Sequence, residues 1–363
     1  MVTAAANAAE RRPRAEIRTE PDDFVVAEIP AYEPSGVGGY AFLTLDKRSV
    51  TTLEAVRCVA RHLDLKPDAV SFAGMKDRHA VTRQRISLPW GAERPLTDLM
   101  ACLHDIAPPV GGSLSFSEPS RHSHGLKPGH LRGNRFQLRL RGLSAERAEH
   151  VAEGLHRIGR QGLPNRFGPQ RFGRHGTLGE DALNWVRGEA KPPRDRRQRR
   201  LWFSAFQSLL FNRVLDARLA DDSVYTVVFG DLAQKHDTGG MFDVPLGAGP
   251  EFDDAVGRAE RALISATGPM FGNKMRLPLQ DGAPRRLEEA VLRSALGPDA
   301  DLSVLKPFKT MGAGTRRPLR LVPEAMTTSA RPDGLVCAFV LPKGGYATTV
   351  LEQVCVPIDV SSP

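Results

Sequence analysis

The chain has 363 residues, 41% hydrophobic and 25% charged, the composition of an ordinary globular protein with a sizeable core and, on length, about two or three domains. Basic residues outnumber acidic ones by 50 to 42, a net charge of +8 that favours an anionic partner, nucleic acid first. No stretch reaches the roughly 18–20 apolar residues of a membrane span, and Cys58, Cys102, Cys337 and Cys355 stand far apart with no CxxC, which argues against a membrane protein, a disulfide scaffold or a zinc site and for reduced thiols in the cytoplasm.

The start, MVTAAANAAERRPRAEI, has no apolar signal core and reads as a frayed tail. Residues 22–31 and 40–47 read as strands, separated by the turn-rich loop EPSGVGG. Thr51 and Glu54 have the spacing of a capping box, and Leu53, Val56, Val59, Ala60 and Leu63 follow at helical intervals. A short strand at 70–73 enters the loop GMKDRHAVT, and RQRISLP leaves it as a strand. One acid, Asp77, therefore sits on a strand-held loop among Lys76, Arg78, His79, Arg83 and Arg85. A lone carboxylate in that setting is either a stray surface acid or a reactive group beside a site for a polyanion.

A further strand is expected at 113–118, then a basic loop carrying His122, His124 and His130. No cysteine or acid pair completes a zinc set with these histidines. The segment NRFQLRLRGL alternates Phe136, Leu138 and Leu140 against Gln137, Arg139 and Arg141, a half-exposed strand with a basic face. A helix follows over 144–160.

The middle of the chain changes character. LPNRFGPQRFGRHG has no regular period, and KPPRDRRQRR is a charge run leading into a long amphipathic helix at 199–219. Near the end, RRPLRLVPEAM, DGLVCAFVLP and ATTVLEQVC read as strand, strand, helix. Both chain ends share an αβ style, so the middle looks inserted, with boundaries near 160 and 315. There is no P-loop, no dinucleotide fingerprint, no HExxH and no GxSxG.

Three stretches, FAGMKDRHAVTRQ (72–84), GNRF (133–136) and NRFGPQRFG (165–173), resemble the signature segments of the TruD family of tRNA pseudouridine synthases. Further similarity appears in EPDDFVVAEIP, RDRRQRRLWFSAFQSLLFN and LPKGGYATTVLEQV, and the matches run in the family's order from about residue 15 to 355. The resemblance implies an α+β fold. A mixed, largely antiparallel sheet with flanking helices would form the catalytic domain from residues 1–160 and 315–363. A family-specific α/β domain would fill 161–314, with a cleft for RNA between the two. It implies isomerisation of a uridine in tRNA, at position 13 of the D arm, without cofactor or metal, by a protein expected to be monomeric.

The resemblance also assigns roles. Asp77 matches the family's catalytic aspartate. A carboxylate suits the reaction as a nucleophile or as a base toward a sugar proton. The family's partner cation is a lysine just before PxDF; here that place holds Arg18, whose planar fork could bind both carboxylate oxygens. Phe136 matches the stacking aromatic, and Asn134 is a candidate for the uracil edge. Tyr346 stands where a phenylalanine is expected and could close the pocket. Lys76 and Arg78 flank Asp77 and are expected to face RNA phosphates, while Gln84 braces the loop or lines the cleft. A non-catalytic RNA-binding or RNA-remodelling protein on the same scaffold is the alternative reading. A small-molecule hydrolase using Asp77 is a third.

Overall fold

The structure, a computed structural model, describes residues 12–173 and 175–361. The tail expected to fray therefore lies, as far as residue 11, outside the described residues. Contacts divide the chain into two compact units, with breaks after Gly159 and after Val322.

The first unit opens with β1 (Arg14–Ile17), β2 (Phe24–Pro30), β3 (Tyr40–Arg48), helix α1 (Thr52–His62), β4 (Ser71–Phe72), β5 (Val81–Pro89), α2 (Leu96–His104), β6 (Ser113–His122), β7 (Leu131–Arg141) and α3 (Ala145–Gln161). The second unit holds β8 (Leu163–Pro164), α4 (Leu178–Arg187), α5 (Arg196–Ala220), β9 (Leu232–Lys235), β10 (Met241–Asp243), α6 (Pro250–Glu260), β11 (Ile264–Met270), α7 (Ala283–Leu296), β12 (Thr315–Pro318) and β13 (Arg320–Leu321). The chain then returns to the first unit with β14 (Glu324–Arg331), β15 (Gly334–Pro342), α8 (Ala347–Leu351) and β16 (Val356–Asp359).

The main sheet runs β14-β15-β7-β2-β5-β3-β6. It is mixed: β2 pairs β5 in parallel, and the other pairs along this path are antiparallel. β1 and β16 lie beside each other in parallel register, Ile17 opposite Asp359, so the two ends of the described chain meet. This is the α+β class that the family resemblance implies. Its core follows from period-two alternation. Ala41, Leu43 and Leu45 of β3 and Ile86 and Leu88 of β5 face Val56, Val59 and Ala60 of α1 and Leu99 and Leu103 of α2. The capping box forms as its spacing predicts: the Glu54 N–H donates to Thr51 Oγ1 at 3.2 Å and the Thr51 N–H to Glu54 at 2.8 Å.

Several elements differ from the sequence reading. α2, β1 and β16 have too few residues to show a period. RRPLRLVPEAM is not one strand. β12 pairs β11 and β13 pairs β8 in the second unit, whereas β14 pairs β15 in the first. A run that looks continuous in sequence thus crosses from one unit to the other. α5 starts three residues before the expected Arg199, because Asp195 accepts the Gln198 N–H at 2.9 Å and caps it.

The second unit carries a buried ion pair. Arg316 donates from both terminal nitrogens to Glu288, at 2.8 and 2.6 Å, with the two side chains 1% and 3% exposed. Arg316 also donates to the Thr267 carbonyl at 2.6 Å. Replacing Glu288 by leucine leaves a buried guanidinium without its counter-charge, so Glu288→Leu should lose about 3–5 kcal/mol of stability in urea denaturation. A loss under about 1 kcal/mol would show that water reaches the pair.

Candidate active site

The loop between β4 and β5 carries Gly74, Met75, Lys76, Asp77 and Arg78, and it has no regular structure. Buried polar groups hold it instead. The Lys76 N–H donates to Thr52 Oγ1 at 2.8 Å, and that hydroxyl donates to Gln84 Oε1 at 2.8 Å. Gln84 Nε2 donates in turn to the Gly74 carbonyl at 3.2 Å. The Gly129 N–H donates to the Ala73 carbonyl at 2.8 Å. From beneath, Lys47 Nζ donates to the carbonyls of Val50 and Asp77 at 2.6 and 2.8 Å.

This scaffold turns the Asp77 side chain outward, where it is 61% exposed. Arg18 meets it: Arg18 donates to Asp77 Oδ2 at 2.8 Å and, through its other terminal nitrogen, to Asp359 Oδ2 at 2.5 Å. The guanidinium lies 4.0 Å over the Phe24 ring and its side chain is only 15% exposed. Arg18 leaves β1 with φ 57°, a left-handed conformation uncommon for a non-glycine residue. The fork is therefore split between two acids and does not clasp both oxygens of Asp77, as the sequence had suggested. Burial works to raise the Asp359 carboxyl, but hydrogen bonds from Ser361 and Arg18 outweigh it and hold the group below the usual carboxylate range.

Beside this pair opens a cavity of about 290 Å³. Arg18, Phe24, Asp77, Asn134, Phe136 and Tyr346 are among its lining residues. Phe136 is 7% exposed, set edge-on to Phe24 with centroids 6.3 Å apart and 5.7 Å from Phe339. It is thus a core ring as well as a cavity wall. Asn134 Oδ1 is buried and has no hydrogen-bond partner. Tyr346 is 64% exposed and stands immediately before α8.

Two flanking cations sit elsewhere than the sequence suggests. Lys76, expected to face phosphates, lines the cavity wall but is buried on Glu28 at 2.8 Å, the two side chains 6% and 1% exposed. Glu28 also accepts the Arg85 N–H at 3.2 Å, so the pair ties the loop to β2 and β5. Arg78, likewise expected at phosphates, is bound to Glu54. That carboxyl is held down at about 2, first by the Thr51 hydrogen bonds of the capping box. Gln84 lies under the loop as its brace.

Sequence reasoning missed Asp359, Lys47, Met75 and Lys343. Asp359 becomes visible only through the pairing of β1 with β16. Lys47 did carry a signal: Ala41, Leu43, Leu45 and Lys47 share one parity, so β3 directs a lysine into its core row. Met75, 72% exposed, and Lys343 both line the cavity. The three loop histidines pack around Tyr32, whose hydroxyl is 2.8 Å from His130 Nδ1. Among the described residues, no group of three or more His, Cys, Asp or Glu side chains is placed to hold a metal ion. Among them, no helix is long and apolar enough to cross a membrane.

The family model described as tRNA pseudouridine synthase D (TruD) matches residues 9–180 and 190–354. The chain is 40% identical to the tRNA pseudouridine synthase D of Anaeromyxobacter sp. (strain Fw109-5), over 93% of this chain and 91% of that protein. It is 37% identical to a tRNA pseudouridine synthase D of Thermus thermophilus, over 93% and 88% of the two chains. A crystal structure assigned to tRNA pseudouridine synthase D (TruD) from Methanosarcina mazei superposes with a TM-score of 0.67 at 22% identity, covering 96% of this chain and 94% of that one. At that identity the superposition supports the fold.

The loop scaffold can be tested apart from any activity. Thr52→Val keeps the shape of a side chain in a residue 1% exposed, but leaves the Lys76 N–H and the Gln84 amide oxygen without a partner. The expected loss is about 1–3 kcal/mol in urea denaturation, with faster hydrogen exchange confined to residues 74–78. Unchanged exchange there would mean that the hydroxyl does not hold the loop.

Proposed function

The chain belongs to the tRNA pseudouridine synthase D (TruD) family, and we propose how its residues turn a tRNA uridine, at position 13 of the D arm, into pseudouridine. The bond from C1′ to N1 breaks, the freed base turns, and C1′ joins C5. A proton leaves C5 and one is gained at N1, so nothing is consumed.

Asp77 is the central group. Arg18 takes its Oδ2, which aims the carboxylate and leaves Oδ1 to meet the ribose. There it acts as nucleophile at C1′ or as base toward a sugar proton, and both routes need the same approach. Phe136 offers a ring at the cavity wall on which a splayed-out uracil stacks while it is detached. The unpartnered Asn134 oxygen accepts the uracil N3–H. Tyr346 closes the outer side with its ring. The observation that carries this reading is the exposed Asp77, paired with Arg18, at a cavity lined by Phe136 and an Asn134 whose buried oxygen is unsatisfied.

Lys76 and Arg78 are both paired within the protein, so other cations must meet the phosphates. Lys343, at the cavity wall, donates its N–H to the Arg132 carbonyl at 3.1 Å. Both residues are exposed. We assign the phosphates flanking the target nucleotide to these two side chains. The protein acts as a monomer, in the cytoplasm where its tRNA is.

Asp77→Asn should reduce pseudouridine formation by at least about 1,000-fold, mapped by chemical labelling of a tRNA transcript, with tRNA affinity within about threefold of the parent. Undiminished yield would remove Asp77 from the chemistry. The double variant Arg132→Ala, Lys343→Ala should weaken tRNA binding and lower the slope of log K against log salt by about 1 to 2. An unchanged slope would place the phosphates elsewhere.

A further inference from the structure

Lys47 ends the inward row of β3, after Ala41, Leu43 and Leu45, and it is itself only 2% exposed. Packing alone does not call for it, since a methionine fills a similar slot without the cost of burying a charge. Among the described residues, no carboxylate sits on its ammonium. Its two hydrogen bonds go to main-chain carbonyls, those of Val50 at 2.6 Å and of Asp77 at 2.8 Å. Val50 comes just before the capped start of α1, and Asp77 is the exposed acid of the loop. One buried cation thus joins the outward-facing acid to the residue that precedes the capped start of α1.

The charges around Lys47 can be named by element. The loop contributes Asp77, Lys76 and Arg78, and α1 contributes Glu54. Its register partners on β5 and β6 are Thr82 and Leu114, which carry no charge. We propose that Lys47 is a positioning residue for Asp77: its ammonium fixes the Asp77 main chain so that the carboxylate reaches both Arg18 and the nucleoside, and turnover requires that ammonium to stay protonated. This rests on the assignment of Asp77 to the chemistry.

A consequence follows for pH. Burial, its largest influence, pulls the Lys47 ammonium down to about 8, with the Asp77 charge opposing. Below that pH the amine is charged and both bonds are charge-assisted. Above it they become ordinary bonds, roughly half as strong. The loop then loosens and activity falls as pH rises.

The test is the pH profile of kcat/KM, which reports the free enzyme. Between about pH 7 and about 9.5 the unaltered protein should lose activity with a one-proton midpoint at about 8. Lys47→Met, with circular dichroism intact and tRNA affinity within about threefold, should lose about 10- to 100-fold in kcat, and its residual activity should lack that limb. Lys47→Arg, whose cation cannot lose its proton in this range, should retain more activity than the methionine variant and also lack the limb. A flat profile in the unaltered protein, or a kcat for Lys47→Met within about threefold of it, overturns the inference. So does a limb that survives in either variant, for it then belongs to the uracil or to another group. If Lys47→Met does not fold, the unaltered and arginine profiles still decide. An inactive Asp77→Asn measured in parallel keeps the underlying assignment standing when Lys47 fails; an active one defeats that assignment itself.

Discussion

Two carboxylates share one guanidinium, and the site is built around that sharing. Arg18 gives one nitrogen to Asp77 and another to Asp359. The three residues come from the end of the first strand, an internal loop and the last strand, so the arrangement exists only when the chain ends have zipped together as β1 and β16. Phe24 supports the guanidinium from below at 4.0 Å. A planar cation with fixed directions on both sides and a ring beneath cannot swing, and it therefore aims the exposed acid it touches. The left-handed backbone at Arg18 is the local cost of turning the side chain out of the strand toward that acid.

The loop bearing Asp77 has no ladder of its own, so its rigidity must come from side chains. Thr52, Gln84, Lys47 and Glu28 are all buried or nearly so, and each directs its polar groups at this loop. Such a network is stabilising only when every member is satisfied, because an unpaired buried group costs more than a made bond returns. The Lys76–Glu28 pair shows the same logic. Burying two charges gains little stability against an apolar pair, but it tolerates one register only. The cations flanking Asp77 therefore serve to hold the loop in shape, and on the proposed reading the phosphate contacts pass to neighbours that this network does not use.

Much of this was legible in the sequence, and what was not has a common cause. Alternation gave β3, β5 and β7, and the Thr51–Glu54 spacing gave α1 with its cap, because both signals are local. The approach of Asp77, Arg18 and Phe136 to one cavity was anticipated only through the family likeness. Composition and spacing said no more than basic and split. Lys76 and Arg78 were expected to face phosphates because they flank an outward acid; the observed loop folds back on β2 and α1, where Glu28 and Glu54 hold them. Asp359 was invisible because so short a strand has no period and its meaning lies in pairing with a strand at the opposite end of the chain. Lys47 was readable by parity, since it follows Ala41, Leu43 and Leu45 on the inward row of β3.

The arginine at position 18 constrains the chemistry beyond aiming it. A lysine in this place could in principle lend a proton; a guanidinium does not, since arginine side chains are not deprotonated in proteins. On the proposed reaction, the proton gained at N1 and the one lost from C5 must then travel without Arg18. That is less of a demand than it seems, because the isomerisation consumes no proton overall and both sites lie on the same detached base. What the site must supply is a charged acid held still, a ring to keep the base from leaving, and a way to turn that base without letting it go. A cation that fixes geometry and never titrates meets the first of these needs as well as a lysine does. A titratable cation lies one layer down, at Lys47, and on the inference drawn above it bears on the loop and not on the substrate.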